Sequence, residues 1–197
     1  MWDGNREAEQ ILQMMQFEYF RPAEAVRPLI GSYYSITVPE ALSDVMRAEI
    51  ANARFILAGA VSSDMGGEMR RFVPGDAILC GPTFKWSRIE FEAGTVIVGA
   101  AITPLGWARM FGVPAVDYAD RLIPLKEMIP ARVHAMIDRI FDPPDGTTRV
   151  AIADETFAEL DQPDARGLEH RIERHSKIAQ IALIVAHPYA MPEISID

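Results

Sequence analysis

Cysteine is nearly absent from this chain of 197 residues; Cys80 stands alone. With no second thiol there is no internal disulfide, and a reducing, cytoplasmic setting is expected. Positive charge is also short, with 19 Lys and Arg against 28 Asp and Glu, a net charge of −9 and a pI near 4.9. A stand-alone nucleic-acid binder needs a basic face for phosphates, so this balance argues against one, though not against a basic domain attached to the chain. Long apolar runs are missing too. The longest uncharged run, 93–108, is shorter than a membrane span and is broken by Gly94, Gly99, Pro104 and Gly106. The first turns carry Asp3, Arg6, Glu7 and Glu9 with no apolar stretch, so neither a membrane anchor nor a signal peptide is expected. No phosphate-binding loop, dinucleotide fingerprint or nucleophile-elbow motif occurs.

What is present is a globular composition, 49% hydrophobic, enough for one sizeable domain. Residues 5–16 place Ala8, Ile11, Leu12 and Met15 at helical spacing behind Asn5, and 23–30 suggest a second short helix limited by Pro28. From residue 32 the pattern turns to strands. Runs rich in β-branched and aromatic residues occupy 32–38, 54–61, 68–73, 77–80, 86–91 and 95–102, with a weaker one at 45–50. Turn residues separate them: 62–67, Pro74-Gly75-Asp76 and Glu92-Ala93-Gly94. Short strands at this spacing predict a sandwich, barrel or jelly roll.

Beyond Pro104 the pattern is helical. A short helix should end at Gly112 as its left-handed cap, a second should cover 114–120, and Val133, Met136, Ile137 and Ile140 stripe a helix over 130–141. Thr147 or Thr148 is expected to cap a helix running to Leu160, and a last helix should span 168–186. The fold class is therefore α+β, a β-barrel or jelly-roll core followed by a helical segment. The boundary is set between 1–125 and 126–197.

Chemistry is sparse. His134, His170, His175 and His187 all fall in the helical half, and His170 and His175 are turned about 140° from each other on a helix. No metal site is expected. Cys80 sits in an apolar strand, where a thiol is a buried hydrophobe. No catalytic residue and no cofactor is assigned. A small-molecule pocket is the better expectation, built from aromatics beside a few polar groups: Tyr34, Arg54, Phe84, Trp86, Arg88 and Trp107.

The Pro74-Gly75-Asp76 turn, the strand 77–80 and Gly81-Pro82 resemble the second half of a cupin barrel. Metal-binding cupins would carry a histidine near position 86, where this chain has Trp86. Arg21-Pro22, Tyr33-Tyr34, Met46 to Glu49 with Arg54-Phe55, Leu79 to Pro82, and Pro104-Leu105-Gly106-Trp107 with Ala119-Asp120-Arg121 follow the order of the N-terminal sensor region of AraC-type transcription regulators. The resemblance covers roughly residues 20–125. It implies a cupin-like barrel that binds an unknown small-molecule effector, a homodimer formed through the helices at 130–141 and 168–186, and DNA contact only through a helix-turn-helix domain that this chain does not contain. The alternatives are a cupin-like enzyme (an isomerase or a metal-dependent oxygenase) and a non-catalytic interaction module.

Overall fold

The computed structural model describes residues 15–143 and 145–162. Ten strands lie among them: β1 (Gln16–Phe20), β2 (Ile30–Val38), β3 (Leu42–Met46), β4 (Asn52–Ala58), β5 (Val61–Ser63), β6 (Arg70–Phe72), β7 (Ala77–Cys80), β8 (Ser87–Phe91), β9 (Thr95–Ile102) and β10 (Leu122–Pro124). They form two antiparallel sheets, ordered β1-β2-β9-β4-β7-β10 and β3-β8-β5-β6. Counting β2 as the first strand of eight, one sheet holds the first, eighth, third and sixth, and the other holds the second, seventh, fourth and fifth. That is the strand order of a jelly roll. β1 and β10 extend the edges of the first sheet. The fold is a jelly roll followed by helices.

The 54–61 run is not one strand. Gly59 takes a left-handed φ of 63°, and the chain crosses there from β4 in the first sheet to β5 in the second. The Pro-Gly-Asp turn ties the corner to β4: the Gly75 amide donates to the Ile56 carbonyl at 3.0 Å, and the Ile56 amide donates to the Asp76 carbonyl at 3.0 Å. Asp76 also closes its own turn by accepting from the Val73 amide at 2.8 Å.

The first sheet is covered on both faces. Ile56, Ile78, Cys80 and Ile97 point inward, to a cluster shared with Ile89 and Phe91 of the second sheet. Tyr33, Phe55, Leu79, Ala100 and Ile102 point outward, into a larger cluster shared with the helices. Because successive residues of a strand face opposite ways, burial on both faces requires the near-continuous apolar runs seen in β7 and β9. The result is three layers: helices, first sheet, second sheet.

Helix α1 (Pro104–Phe111) starts where the Thr103 hydroxyl accepts from the Gly106 amide at 2.8 Å, with proline at its first position, and ends at Gly112 with φ 67°. The expected helix at 114–120 is a 3₁₀ turn, Ala115–Tyr118. The one at 130–141 divides into a 3₁₀ turn, Ala131–Val133, and helix α2 (His134–Arg139). Its apolar stripe is spent inside the chain: Val133, Ile137 and Ile140 are wholly buried against the first sheet's outer cluster. That stripe is therefore not available as the dimer face expected of this segment. Helix α3 (Gly146–Glu159) is capped by Asp145, whose side chain accepts from the Thr148 amide at 2.8 Å, and not by Thr147 or Thr148. Phe157 of α3 stacks on Tyr33 at 6.2 Å between ring centroids, while the Tyr33 hydroxyl donates to Asp154 at 2.9 Å. Residues on both sides of position 125 share this one core.

Other boundaries move as well. Residues 23–30 make hydrogen-bonded turns before Ile30 enters β2, because eight residues containing Pro28 are too few for a stable helix. The weak strand expected at 45–50 lies earlier, at β3. Met15 is a bend and Gln16 is already extended; the rest of the helix expected over 5–16, residues 5–14, lies outside the described residues, as do all of 168–186, His170, His175 and His187. No described helix is long and apolar enough to cross a membrane.

Candidate functional site

Between the two sheets, toward the end where β1 and β3 overhang, the inner cluster leaves a cavity of about 190 Å³. Its walls are mostly aliphatic and aromatic, from Ile36, Ile56, Phe72, Ile78, Phe91 and Ile97. Phe17 and Val45, both partly exposed, stand at its rim. One corner is polar. Arg54 of β4 enters it and pairs through Nη2 with Glu49, which sits in the connection between β3 and β4.

This corner is held from behind. Arg54 Nε donates to the Tyr34 hydroxyl at 3.2 Å, and that hydroxyl donates to Asn52 Oδ1 at 3.2 Å. Asn52 in turn donates to the Ile50 carbonyl at 2.7 Å and more weakly to Glu49 Oε2 at 3.4 Å. Glu49 is anchored by its backbone, its amide donating to the Thr83 hydroxyl at 2.8 Å. The guanidinium is thus fixed on one edge, while Nη1 donates to the Met46 thioether at 3.1 Å, a weak acceptor. The strand register makes the arrangement possible. Gly99 of β9 pairs with Tyr34 on one side and Arg54 on the other, and its missing side chain leaves room for the tyrosine ring to lie across to the arginine.

Burial alone would lower the Arg54 pKa, but it is outweighed by the pull of Cys80 and Tyr34, anionic only at the alkaline pH where an arginine titrates, and of Glu49, the partner anion at neutral pH, so the pKa is raised and the group stays charged. Burial pushes the Tyr34 phenol up to about 12, against the pull of Arg54. Burial likewise pushes the Cys80 thiol up to about 11, so this cavity-wall cysteine is a neutral thiol at physiological pH and a poor nucleophile. On the helix side, burial and then the Asp154 carboxylate raise Tyr33 far above its ordinary range.

The six residues expected to form a pocket are not brought together. Arg54 lines the cavity, and Tyr34 braces it from behind. Phe84 and Trp86 are 73% and 70% exposed, outside the second sheet. Arg88 points outward with them, because β8 turns Ser87, Ile89 and Phe91 inward and Arg88 and Glu90 to solvent. Trp86 instead borders a separate shallow groove with Lys85, Asp120 and Arg121. Trp107 is buried on the helix side, its Nε1 donating to the Val113 carbonyl at 2.8 Å and its ring against Phe111 and Tyr118. Asn52 was not singled out in the sequence, and Met46 and Glu49 entered there only through a motif resemblance, with no place in the expected pocket. Glu49 and Arg54 are five apart across an irregular connection, a separation that neither a strand nor a helix period flags.

Among the described residues, no group of three His, Cys, Asp or Glu side chains converges as metal ligands would. His134 lies on α2, its Nε2 3.0 Å from the Lys126 carbonyl oxygen. The arrangement can bind and orient a small molecule. It offers no activated nucleophile.

No family model and no curated protein matches this chain. Solved structures that resemble it include the cupin_2 domain of an XRE family transcriptional regulator from Enterobacter cloacae (13% identity, 45% of this chain and 95% of that one, TM-score 0.36). KdgF from a Halomonas species matches at 15% identity over 45% of this chain and 80% of its own, TM-score 0.36. A predicted oxalate decarboxylase from Thermotoga maritima matches at 14% over 45% and 79%, TM-score 0.37. The fold assignment stands on the chain's own strand order.

Proposed function

We propose that this chain is a non-catalytic sensor domain that binds a small molecule between its two sheets, and that it serves as the effector-binding and dimerisation part of an AraC-type transcription regulator. One observation carries the binding claim: a largely apolar cavity with one arginine at its polar corner, held rigid by buried, mutually hydrogen-bonded side chains. Such pre-organisation lowers the entropic cost of binding. The raised Cys80 and Tyr34 pKa values support binding without turnover. The order of motifs from Arg21-Pro22 to Arg121 supports the regulator reading.

A thermal-shift screen of small apolar compounds tests the cavity. A ligand at a hundred times its Kd stabilises the native state by about 2.7 kcal/mol, which raises the Tm of a chain this size by roughly 5–10 °C. Ile36→Trp, which fills the half-buried cavity wall, should abolish that rise. Stoichiometric bound metal accompanied by turnover would replace the sensor reading with an enzyme. Light scattering checks the dimer, and a strict monomer at high concentration would remove it.

A further inference from the structure

We infer that the cavity selects an uncharged, largely apolar molecule of about eight heavy atoms, with one hydrogen-bond-accepting head directed at Arg54. This rests on the sensor reading above and adds the chemical class of the ligand.

Size follows from volume. An engineered apolar cavity of about 150 Å³ holds benzene; this one is about 190 Å³, which scales to about eight heavy atoms. Polarity follows from the walls, which are mostly aliphatic and aromatic; away from the Arg54–Glu49 corner Asp44 and Ser63 also line them, Asp44 accepting from the Val45 amide and Ser63 from the Met65 amide. The head group follows from the unspent bonding of that corner. Arg54 Nη1 donates to the Met46 thioether and the guanidinium also lies against the Cys80 thiol, both weak sulfur acceptors, whereas Nε and Nη2 are engaged by oxygen. Glu49 Oε2 has only a long contact from Asn52. An acceptor replacing Met46 at Nη1 would satisfy the arginine, and an amide could use Glu49 Oε2 as well.

Charge decides between this and the two simpler readings, an anion on the arginine or a cation on the acids. The charged side chains lining the cavity are two carboxylates, Asp44 and Glu49, against one guanidinium. The guanidinium is already neutralised by Glu49. A bound carboxylate would become a second anion on one arginine, with Asp44 also on the wall, and would lose its hydration among aliphatic side chains. A bound ammonium would face Arg54 held in place beside Glu49, and would be desolvated in the same walls. A neutral head avoids both penalties.

The test is calorimetric titration of the chain with four matched probes: benzamide, benzoate, benzylammonium and toluene. Benzamide should bind about tenfold or more tighter than either ion, with toluene weaker than benzamide but measurable. In Arg54→Met, benzamide should fall to the level of toluene. In Glu49→Gln, which removes the competing anion at a half-exposed position, benzoate should gain about tenfold while benzamide changes little. The second variant keeps the test decisive if the first does not fold. Benzoate or benzylammonium binding tightest to the native chain would overturn the inference and leave the cavity reading standing. Absence of binding by all four, toluene included, would overturn both.

Discussion

Gly99→Ala is the substitution that most directly probes how the polar corner is built. A β-carbon at position 99 would lie 2.5 Å from Tyr34 Cε2 and closer still to Cζ and the hydroxyl oxygen. The ring cannot yield by a simple rotation, since it is 8% exposed and bonded to both Asn52 and Arg54. Overpacking of this kind costs about 1–3 kcal/mol, and each of the two displaced hydrogen bonds contributes about 1 kcal/mol. Alanine returns about 0.5–1 kcal/mol through its smaller backbone entropy loss in a strand. The expected net loss is therefore about 3 kcal/mol, or roughly 6–12 °C in Tm. Urea denaturation measures it. The decisive comparison is the double-mutant cycle with Tyr34→Leu, which removes the ring that the new methyl meets. The double variant should be about 2 kcal/mol more stable than the two single losses predict. Additivity within about 0.5 kcal/mol, or a Gly99→Ala protein as stable as the native one, would refute the claim that glycine is there to make room for Tyr34.

Phe157→Ala, at a fully buried ring stacked on Tyr33, should cost about 3–5 kcal/mol; helix and sheet signals should still melt in one transition, and two separate transitions would show that α3 is not part of the barrel's core. Cys80 should resist alkylation in the native chain at pH 8 and react only on unfolding; rapid labelling would contradict its burial. The folded pKa values of Cys80 and Tyr34 are raised, to about 11 and about 12, so the unfolded chain releases these protons first. Their stabilising contribution is complete below about pH 8.5 and is lost as pH rises through about 11 for Cys80 and about 12 for Tyr34. Urea midpoints followed with pH should fall on that alkaline limb, and less steeply in Cys80→Ala. Gly112→Ala forces a β-carbon into a left-handed cap at φ 67° and should cost about 1 kcal/mol, with no effect on probe binding.

Local chemistry marked most of the strands and the first helix. β7 and β9 were legible to the residue because turn residues bound them on both sides, and Gly112 announced the end of α1 because few other residues accept its backbone angle. The Pro-Gly-Asp corner was visible for the same reason. Such signals act within a few residues, so sequence alone carries them. Which face of a strand looks inward is a different matter. Trp86 and Arg88 have the composition of a pocket, and only the pairing of β8 with β3 and β5 turns them outward. In the first sheet both faces are apolar, so alternation held no clue that Tyr33 meets the helices while Tyr34 meets the arginine. The Tyr34 brace on Arg54, the glycine gap beneath it and the cavity itself exist only once β2, β9 and β4 lie side by side. Their contacts join residues up to sixty-odd positions apart, a distance over which only the closed jelly roll sets the geometry.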